Sequence, residues 1–537
     1  MVNKEIIISS DNVENINSFI NGWITFNGMY ISSSKVLDMY YRMGGEIPSH
    51  SEGRYTICKR SGKFIELYSD PMGQDLLFYY ISESYWVISN SYNLIIKNLK
   101  KKSIKLTLSI SSSQAFFLPG GHGNQLISNS TLCQEVNILG IDNKLHIDLK
   151  TKKIKIIDCN HQYKSTTPQS DEGISIINQW LSIWISFIKS AVENNENINV
   201  DITGGRDSRI ILALIIASKV DLNKINFISN KNCIDDFKVA KELSKEFNFK
   251  LNKNINKVKY YNIPSAEKYS LWKNGSMGVY TPVYFPAKKS LNTEFHFHGG
   301  GGELHRKVYN RTPNEQCVYW RKCNKNIKFT DQFELIESEF KKGIKDTGSH
   351  MNDSYGLDKH YFNFRNRHHF GRTWYKDIGK TTLTPLSSRL LYSLKINDLD
   401  SEVDDDFLIA IILMYASKKL LTMPFDKVEK SISSNAIKQA SMYIKNLHLN
   451  IEKVQFYDDY DVIEKDCVQQ SFEAPKVVRS IMEKELQSEM TKELYCSYFS
   501  QESYSDALND ISNENISIKE SCKKASFVLS ISETLMD

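Results

Sequence analysis

Before residue 160 the apolar positions alternate over short stretches: Arg54–Cys58, Phe64–Tyr68, Leu76–Ile81, Tyr85–Ser89, Lys144–Asp148 and Lys152–Ile157. Side chains on a strand point to opposite faces in turn, so this period of two predicts half-buried strands joined at Ser-Gly-Lys, Asp-Pro-Met-Gly and Ser-Glu-Ser turns. The polar stretch His161–Gly173, with Pro168, reads as a linker. From Ile174 the period lengthens: Ile174–Val192 predicts a helix and Ile198–Ile202 a strand. After Thr203-Gly204-Gly205-Arg206-Asp207-Ser208 comes a helix that is apolar almost all round, which belongs inside a protein, packed on a sheet. Ile225–Ser229 predicts a second strand and Asp235–Phe247 an amphipathic helix. Strand, helix, strand, helix predicts a parallel, doubly wound sheet. Beyond Phe407 the chain reads mostly helical.

Composition narrows the class. The chain has 537 residues, 41% hydrophobic and 24% charged, which is the make-up of a folded protein large enough for several domains. A net charge of +5 gives no case for nucleic-acid binding. The longest apolar runs, Ile210–Ser218 and Phe407–Ala416, are too short to span a bilayer, and no basic-then-apolar leader opens the sequence. The nine cysteines are scattered without a C-x-x-C pair, so reduced thiols and a cytoplasmic location are expected.

The chemistry concentrates in Thr203–Ser208. Ligands of parallel sheets sit at the carboxyl ends of strands, where this loop falls. Gly204 and Gly205 allow close backbone approach, the helix start favours an anion, and Thr203, Ser208, Arg206 and Arg209 add donors and positive charge. Phosphate is the natural ligand, and Asp207 beside it calls for a bridging divalent cation such as magnesium. A tight Gly-Gly turn alone would account for the glycines, but not for two hydroxyls and a carboxylate in six residues. The Walker pattern is absent.

This loop resembles the S-G-G-x-D-S pyrophosphate loop of the ATP pyrophosphatases, and most closely that of the asparagine synthetase-like amide ligases. Asp235/Asp236 and the helix to Phe247 are similar to that family's second helix. Phe297-His298-Gly299-Gly300-Gly301-Gly302-Glu303-Leu304 stands where the family has a glycine-rich loop ending in Asp-Glu-Leu, and Leu383–Leu390 faintly resembles its Pro-Phe-Leu-Asp segment. Gly53–Ile57, Phe64–Tyr68, Asp70-Pro71-Met72-Gly73 and the strands after them resemble its class II glutamine amidotransferase domain.

The resemblance implies an Ntn-hydrolase-like α+β sandwich over 1–160, an α/β doubly wound PP-loop (HUP-like) synthetase domain over 174–450 and a helical extension over 451–537. It implies a ligase that activates a small-molecule or peptide carboxylate with ATP and Mg2+, releases pyrophosphate, and passes the acyl-adenylate to an amine. Ile202, Ser229 and His298 fall where the family contacts adenosine. Thr203, Gly204, Gly205, Arg206 and Ser208 would hold pyrophosphate, with Gly299 and Gly300 beside them, and Asp207 and Glu303 would face the metal. The family also uses a lysine from its C-terminal half, for which Lys376, Lys380, Lys418, Lys419 and Lys427 all stand as candidates.

Two departures matter. Val2 replaces the family's cysteine nucleophile, which implies no glutamine hydrolysis. Gly302 replaces the Asp of Asp-Glu-Leu, which leaves open a scaffold that binds nucleotide without turnover, beside a ligase or an ammonia-dependent asparagine synthase. A homodimer or a partner protein of a biosynthetic cluster also stays open. Arg365, Arg367 and Arg372 with His368 and His369 are weaker phosphate candidates, and His296, His298 and His305 read as ordinary histidines more than as a metal site.

Overall fold

The computed structural model describes residues 5–49, 51–116, 118–123, 125–159, 165–194, 196–253, 260–277, 288–290, 294–323, 333–369, 371, 380–394, 403–458, 474–498, 500–515, 525, 528–529 and 532. The first part forms β1 (Ile7–Ser9), β2 (Phe19–Phe26), β3 (Met29–Ile31), β4 (Glu52–Ser61), β5 (Phe64–Ser69), β6 (Phe78–Ile81), β7 (Trp86–Ser89), β8 (Asn137–Ile138), β9 (Asn143–Asp148) and β10 (Ile154–Asp158). Then follow β11 (Asn197–Asp201), β12 (Asn226–Ile228), β13 (Tyr260–Asn262), β14 (Lys288–Ser290), β15 (Glu294–Phe297), β16 (Thr381–Leu383) and β17 (Gln455–Tyr457). The whole is a mixed α/β protein with several sheets, one of them parallel.

One sheet runs β1-β7-β6-β8 and a larger one β10-β9-β5-β4-β2-β3-β17. Alternate residues of both meet in one apolar cluster: Ile8, Trp86 and Ile88 from the smaller sheet, Cys58, Ile65, Leu67, Leu145 and Ile147 from the larger. The period of two in the sequence corresponds to this buried layer. β2 escaped the sequence pattern because Gly22 interrupts it. Gly22 has φ 111°, and a Cβ there would lie 2.0 Å from the Arg54 carbonyl oxygen of the paired strand.

The parallel sheet has the order β12-β11-β15-β16. β11 leads into the helix Arg206–Ala217, which takes in the last three residues of the expected loop, and β12 leads into the helix Ile234–Glu246; both strands and the second helix fall within a residue of the predicted boundaries. The long helix Asp171–Glu193 starts on Ser170, whose Oγ accepts the Gly173 N–H at 3.0 Å, with Asp171 and Glu172 in its first turn. Its Trp184 and Phe187 pack on Phe295 and Phe297 of β15 and also on Trp23 and Tyr30 of the larger antiparallel sheet. One apolar core therefore joins the two sheet systems.

The stretch after 451, expected as helical, opens with a strand. β17 pairs in parallel with β3 and closes that edge of the antiparallel sheet. The helices Ala474–Leu486, Glu489–Tyr498 and Gln501–Ser512 follow and bury Met482, Tyr495 and Ala507 in a cluster that also holds Ile95 and Leu99 of the N-terminal region. Among the described residues no helix is long and apolar enough to cross a membrane.

Candidate functional site

The loop after β11 is held from several directions. Ile202 donates its N–H to the Ile228 carbonyl at 2.8 Å, which continues the pairing with β12 to the mouth of the sheet. Gly205 caps the next helix with φ −80° and no side-chain hydrogen bond. Neither Gly204 nor Gly205 has a positive φ, so no unusual dihedral requires the glycines. Space is what requires Gly204: a Cβ there would lie 2.5 Å from Cβ of Asp426. Its N–H donates to Asp236 Oδ1 at 2.7 Å, and its carbonyl accepts the Asp426 N–H at 3.1 Å. Thr203 N–H donates to Ser208 Oγ at 3.1 Å, Gly205 N–H to Thr203 Oγ1 at 3.2 Å, and the two hydroxyls lie 2.9 Å apart.

The two arginines here support the loop. Arg206 makes a two-pronged pair with Asp406, at 2.6 and 3.0 Å, and also donates to the carbonyls of Lys430 and Ser431. The pyrophosphate role expected for Arg206 is thus not its role in this geometry, where Nε, Nη1 and Nη2 are all engaged. Arg209 is fully buried, donates to the carbonyls of Leu420, Met423 and Pro424, and stacks 3.6 Å over Phe425. Burial pulls its guanidinium down to about 10.

Asp207 is the electrostatic centre. Burial raises its carboxyl above the ordinary carboxylate range, Arg306 opposes that, Glu303 adds to it, and Lys430 opposes it. Arg306 Nη1 stands 3.4 Å from Asp207 Oδ1. Glu303 accepts a short hydrogen bond from the Tyr361 hydroxyl. Gly302 and Asp207 are interlocked: a Cβ on Gly302 would lie 2.2 Å from Asp207 Oδ1 and 2.3 Å from its Cγ. The Asp207 carboxylate therefore fills the space that a side chain at 302 would take. Magnesium is commonly held by one or two carboxylates plus phosphate oxygens and water, and a half-buried Asp207 with Glu303 near it matches that donor chemistry. Among the described residues no group of three or more His, Cys, Asp or Glu is placed to hold a metal by protein ligands alone.

The glycine run packs directly on the loop. A Cβ on Gly299 would sit 2.9 Å from the Asp207 carbonyl carbon and the Ser208 nitrogen. His298 is exposed, and its Nδ1 accepts the Gly300 N–H at 2.9 Å. Gly301, at φ 97°, lies against Ser387, and His305 Nε2 donates to the Leu386 carbonyl at 2.6 Å. The segment Leu383–Leu390 is thereby brought to the same place. Ser229 follows β12 directly, and Asn252 bonds to both its N–H and its carbonyl at 3.0 Å. Its buried Oγ has no hydrogen-bond partner.

Other candidates lie elsewhere. His296 bridges Asp201 and Lys380, at 2.8 and 2.9 Å, which places Lys380 just before β16 and beside Asp201 at the end of β11. Burial raises the Asp201 carboxyl, but His296, His298 and Lys380 together hold it below its ordinary range. Lys419 pairs with Glu246, and Lys427 is exposed. Lys376 and Arg372 lie outside the described residues. Arg367 is buried on the carbonyls of Gly73 and Leu139, which makes it a strut between chain segments and not a phosphate grip. Val2 also lies outside the described residues. Cys58 is buried in β4 with its thiol pushed up to about 12 by burial, too high for a nucleophile.

Sequence reasoning missed Lys430, Asp426, Asp406 and Arg306. Lys430 pairs with Asp426 at 2.7 Å, and its Nζ lies 4.0 Å from where a Cβ on Gly205 would stand. The Asp426–Lys430 spacing of four was visible, but nothing in the sequence tied it to residues more than two hundred positions earlier. No protein-family model matches the chain, and no curated protein matches it.

Proposed function

We propose that the chain is an ATP-dependent amide-forming ligase that activates a carboxylate as an acyl-adenylate without hydrolysing glutamine. The parallel-sheet part would be a PP-loop, HUP-like synthetase unit, and the antiparallel sheets an Ntn-hydrolase-like unit without a nucleophile. One observation carries this reading: Asp207, Glu303, Arg306 and Lys430 converge on a strand–Gly-Gly–helix loop at the carboxyl end of a parallel strand.

The substrate carboxylate attacks the α-phosphorus of ATP, and pyrophosphate leaves. The helix start at Arg206–Ser208 and the Thr203 and Ser208 hydroxyls receive the leaving pyrophosphate, with Lys430 and Arg306 supplying positive charge as its charge develops. Asp207 and Glu303 would hold magnesium, which offsets phosphate charge when bound. An amine then displaces AMP. Magnesium-ATP, labelled pyrophosphate and a panel of carboxylates should give exchange of label into ATP, and Asp207→Ala should lower the rate at least a hundredfold. Absence of ATP binding by calorimetry, with Asp207→Ala indistinguishable from wild type, would sink the proposal. A second reading, nucleotide binding without turnover, is favoured by Gly302 and by the Arg306 contact on Asp207. It predicts ATP binding with no AMP release from any carboxylate–amine pair.

A further inference from the structure

The N–H groups of Thr203, Gly204 and Gly205 are already satisfied from within the chain. Those of Thr203 and Gly205 go to hydroxyls of the loop itself, which can rotate away at little cost. The Gly204 N–H is different, because its acceptor is a carboxylate from a separate helix, Asp236 Oδ1 at 2.7 Å. Asp236 lies in the first turn of Ile234–Glu246, where an acidic side chain ordinarily serves the N–H groups of its own helix. Here it reaches across to a residue 32 positions earlier. A carboxylate on a loop N–H is the nearest thing a protein has to a phosphate oxygen: anionic, and a pure acceptor. Gly204 cannot turn aside to serve both, since its carbonyl is bonded to Asp426 and its Cα faces the Asp426 side chain.

Resting on the reading of this loop as a pyrophosphate site, we infer that Asp236 is an internal competitor for the phosphate. It holds the Gly204 N–H, and an entering phosphate oxygen must displace it. Its return to Gly204 then opposes retention of the product pyrophosphate. Asp236 is a positioning residue for release, separate from the carboxylates assigned to magnesium. The cost of binding a phosphate next to it is the loss of one charge-assisted hydrogen bond plus repulsion between two anions.

The test uses the full chain as wild type, Asp236→Asn and Asp236→Ala, with pyrophosphate titrated calorimetrically in the absence of magnesium. Asp236 is only half-buried, so neither substitution threatens the fold. Asp236→Ala is expected to bind pyrophosphate about tenfold more tightly, because competitor and charge are both gone. Asp236→Asn, which keeps a neutral acceptor, should fall between it and wild type. In pyrophosphate exchange, KM for ATP should fall, and kcat should fall with it as product release slows. Binding by wild type with equal or weaker binding by Asp236→Ala overturns the inference and leaves the loop reading intact. Binding of neither pyrophosphate nor ATP by any of the three proteins overturns the loop reading and the inference with it.

Discussion

Single residues decide how the candidate site is filled. Gly299 and Gly302 look equivalent in the sequence, yet they meet different obstacles. A methyl on Gly299 runs into backbone atoms of Asp207 and Ser208 at 2.9 Å, which cannot move without the helix. Gly299→Ala should cost about 1–3 kcal/mol in urea unfolding. The nearest atoms to a methyl on Gly302 are those of the Asp207 carboxylate, which can rotate. Gly302→Ala should therefore change stability by less than about 1 kcal/mol while weakening the Arg306 contact, seen as altered magnesium dependence of exchange. Glu52 is a second case, read through pH. Fully buried and accepting a hydrogen bond from Ser388 Oγ at 2.5 Å, it has its carboxyl raised from an ordinary 4.5 to about 8 by burial, which outweighs that bond. Between those values the native state holds a proton that the unfolded chain has released, so stability falls as pH climbs from about 4.5 to about 8. Glu52→Gln should remove that slope, and its urea midpoint should gain on wild type between pH 5 and pH 8.5. Equal slopes in the two proteins would contradict the buried, protonated state.

Elements show what the sequence could and could not say. The β11–helix–β12–helix run was legible because each apolar face is local: Ile198, Val200 and Ile202 alternate, and Ile210–Ile215 are apolar all round. What supports the loop was not legible, because it arrives from far along the chain. Arg206 read as a phosphate ligand on charge alone, while its partner Asp406 lies 200 positions later. Arg209 makes the same point. Its guanidinium ties the helix Arg206–Ala217 to three carbonyls at Leu420, Met423 and Pro424, which places the Asp426–Lys430 segment beside Gly204. Arg209→Ala would take this donor from all three carbonyls and remove the Phe425 stack. It should cost about 3 kcal/mol in thermal or urea unfolding. Arg209→Lys should recover only part of this, since an ammonium neither stacks flat on the ring nor reaches three carbonyls at once.

At the scale of the whole molecule, the two sheet systems share a core where a chain of this length often has separable domains. Phe456 on β17 is the clearest link. Its ring lies 5.4 Å from Tyr30 of the antiparallel sheet, 5.3 Å from Phe187 of the long helix and 5.7 Å from Phe295 of the parallel sheet. Trp23 and Trp184 meet 6.2 Å apart across the same boundary. Neither unit can lose this cluster without exposing apolar surface of the other, so unfolding of one should destabilise its neighbour. Phe456→Ala should therefore cost about 2 kcal/mol, less than for a fully buried ring because Phe456 is half-buried. The readout distinguishes coupling from a local effect. With the other five of the seven tryptophans changed to Phe in every protein compared, the fluorescence of Trp23 and Trp184 reports the shared boundary, and far-UV circular dichroism reports both sheet systems together. In wild type the two urea transitions should coincide, and Phe456→Ala should move them by the same amount. If only the fluorescence transition shifts, the cluster is a contact between independently stable units, and the N-terminal sheets should then fold as a fragment without the parallel sheet.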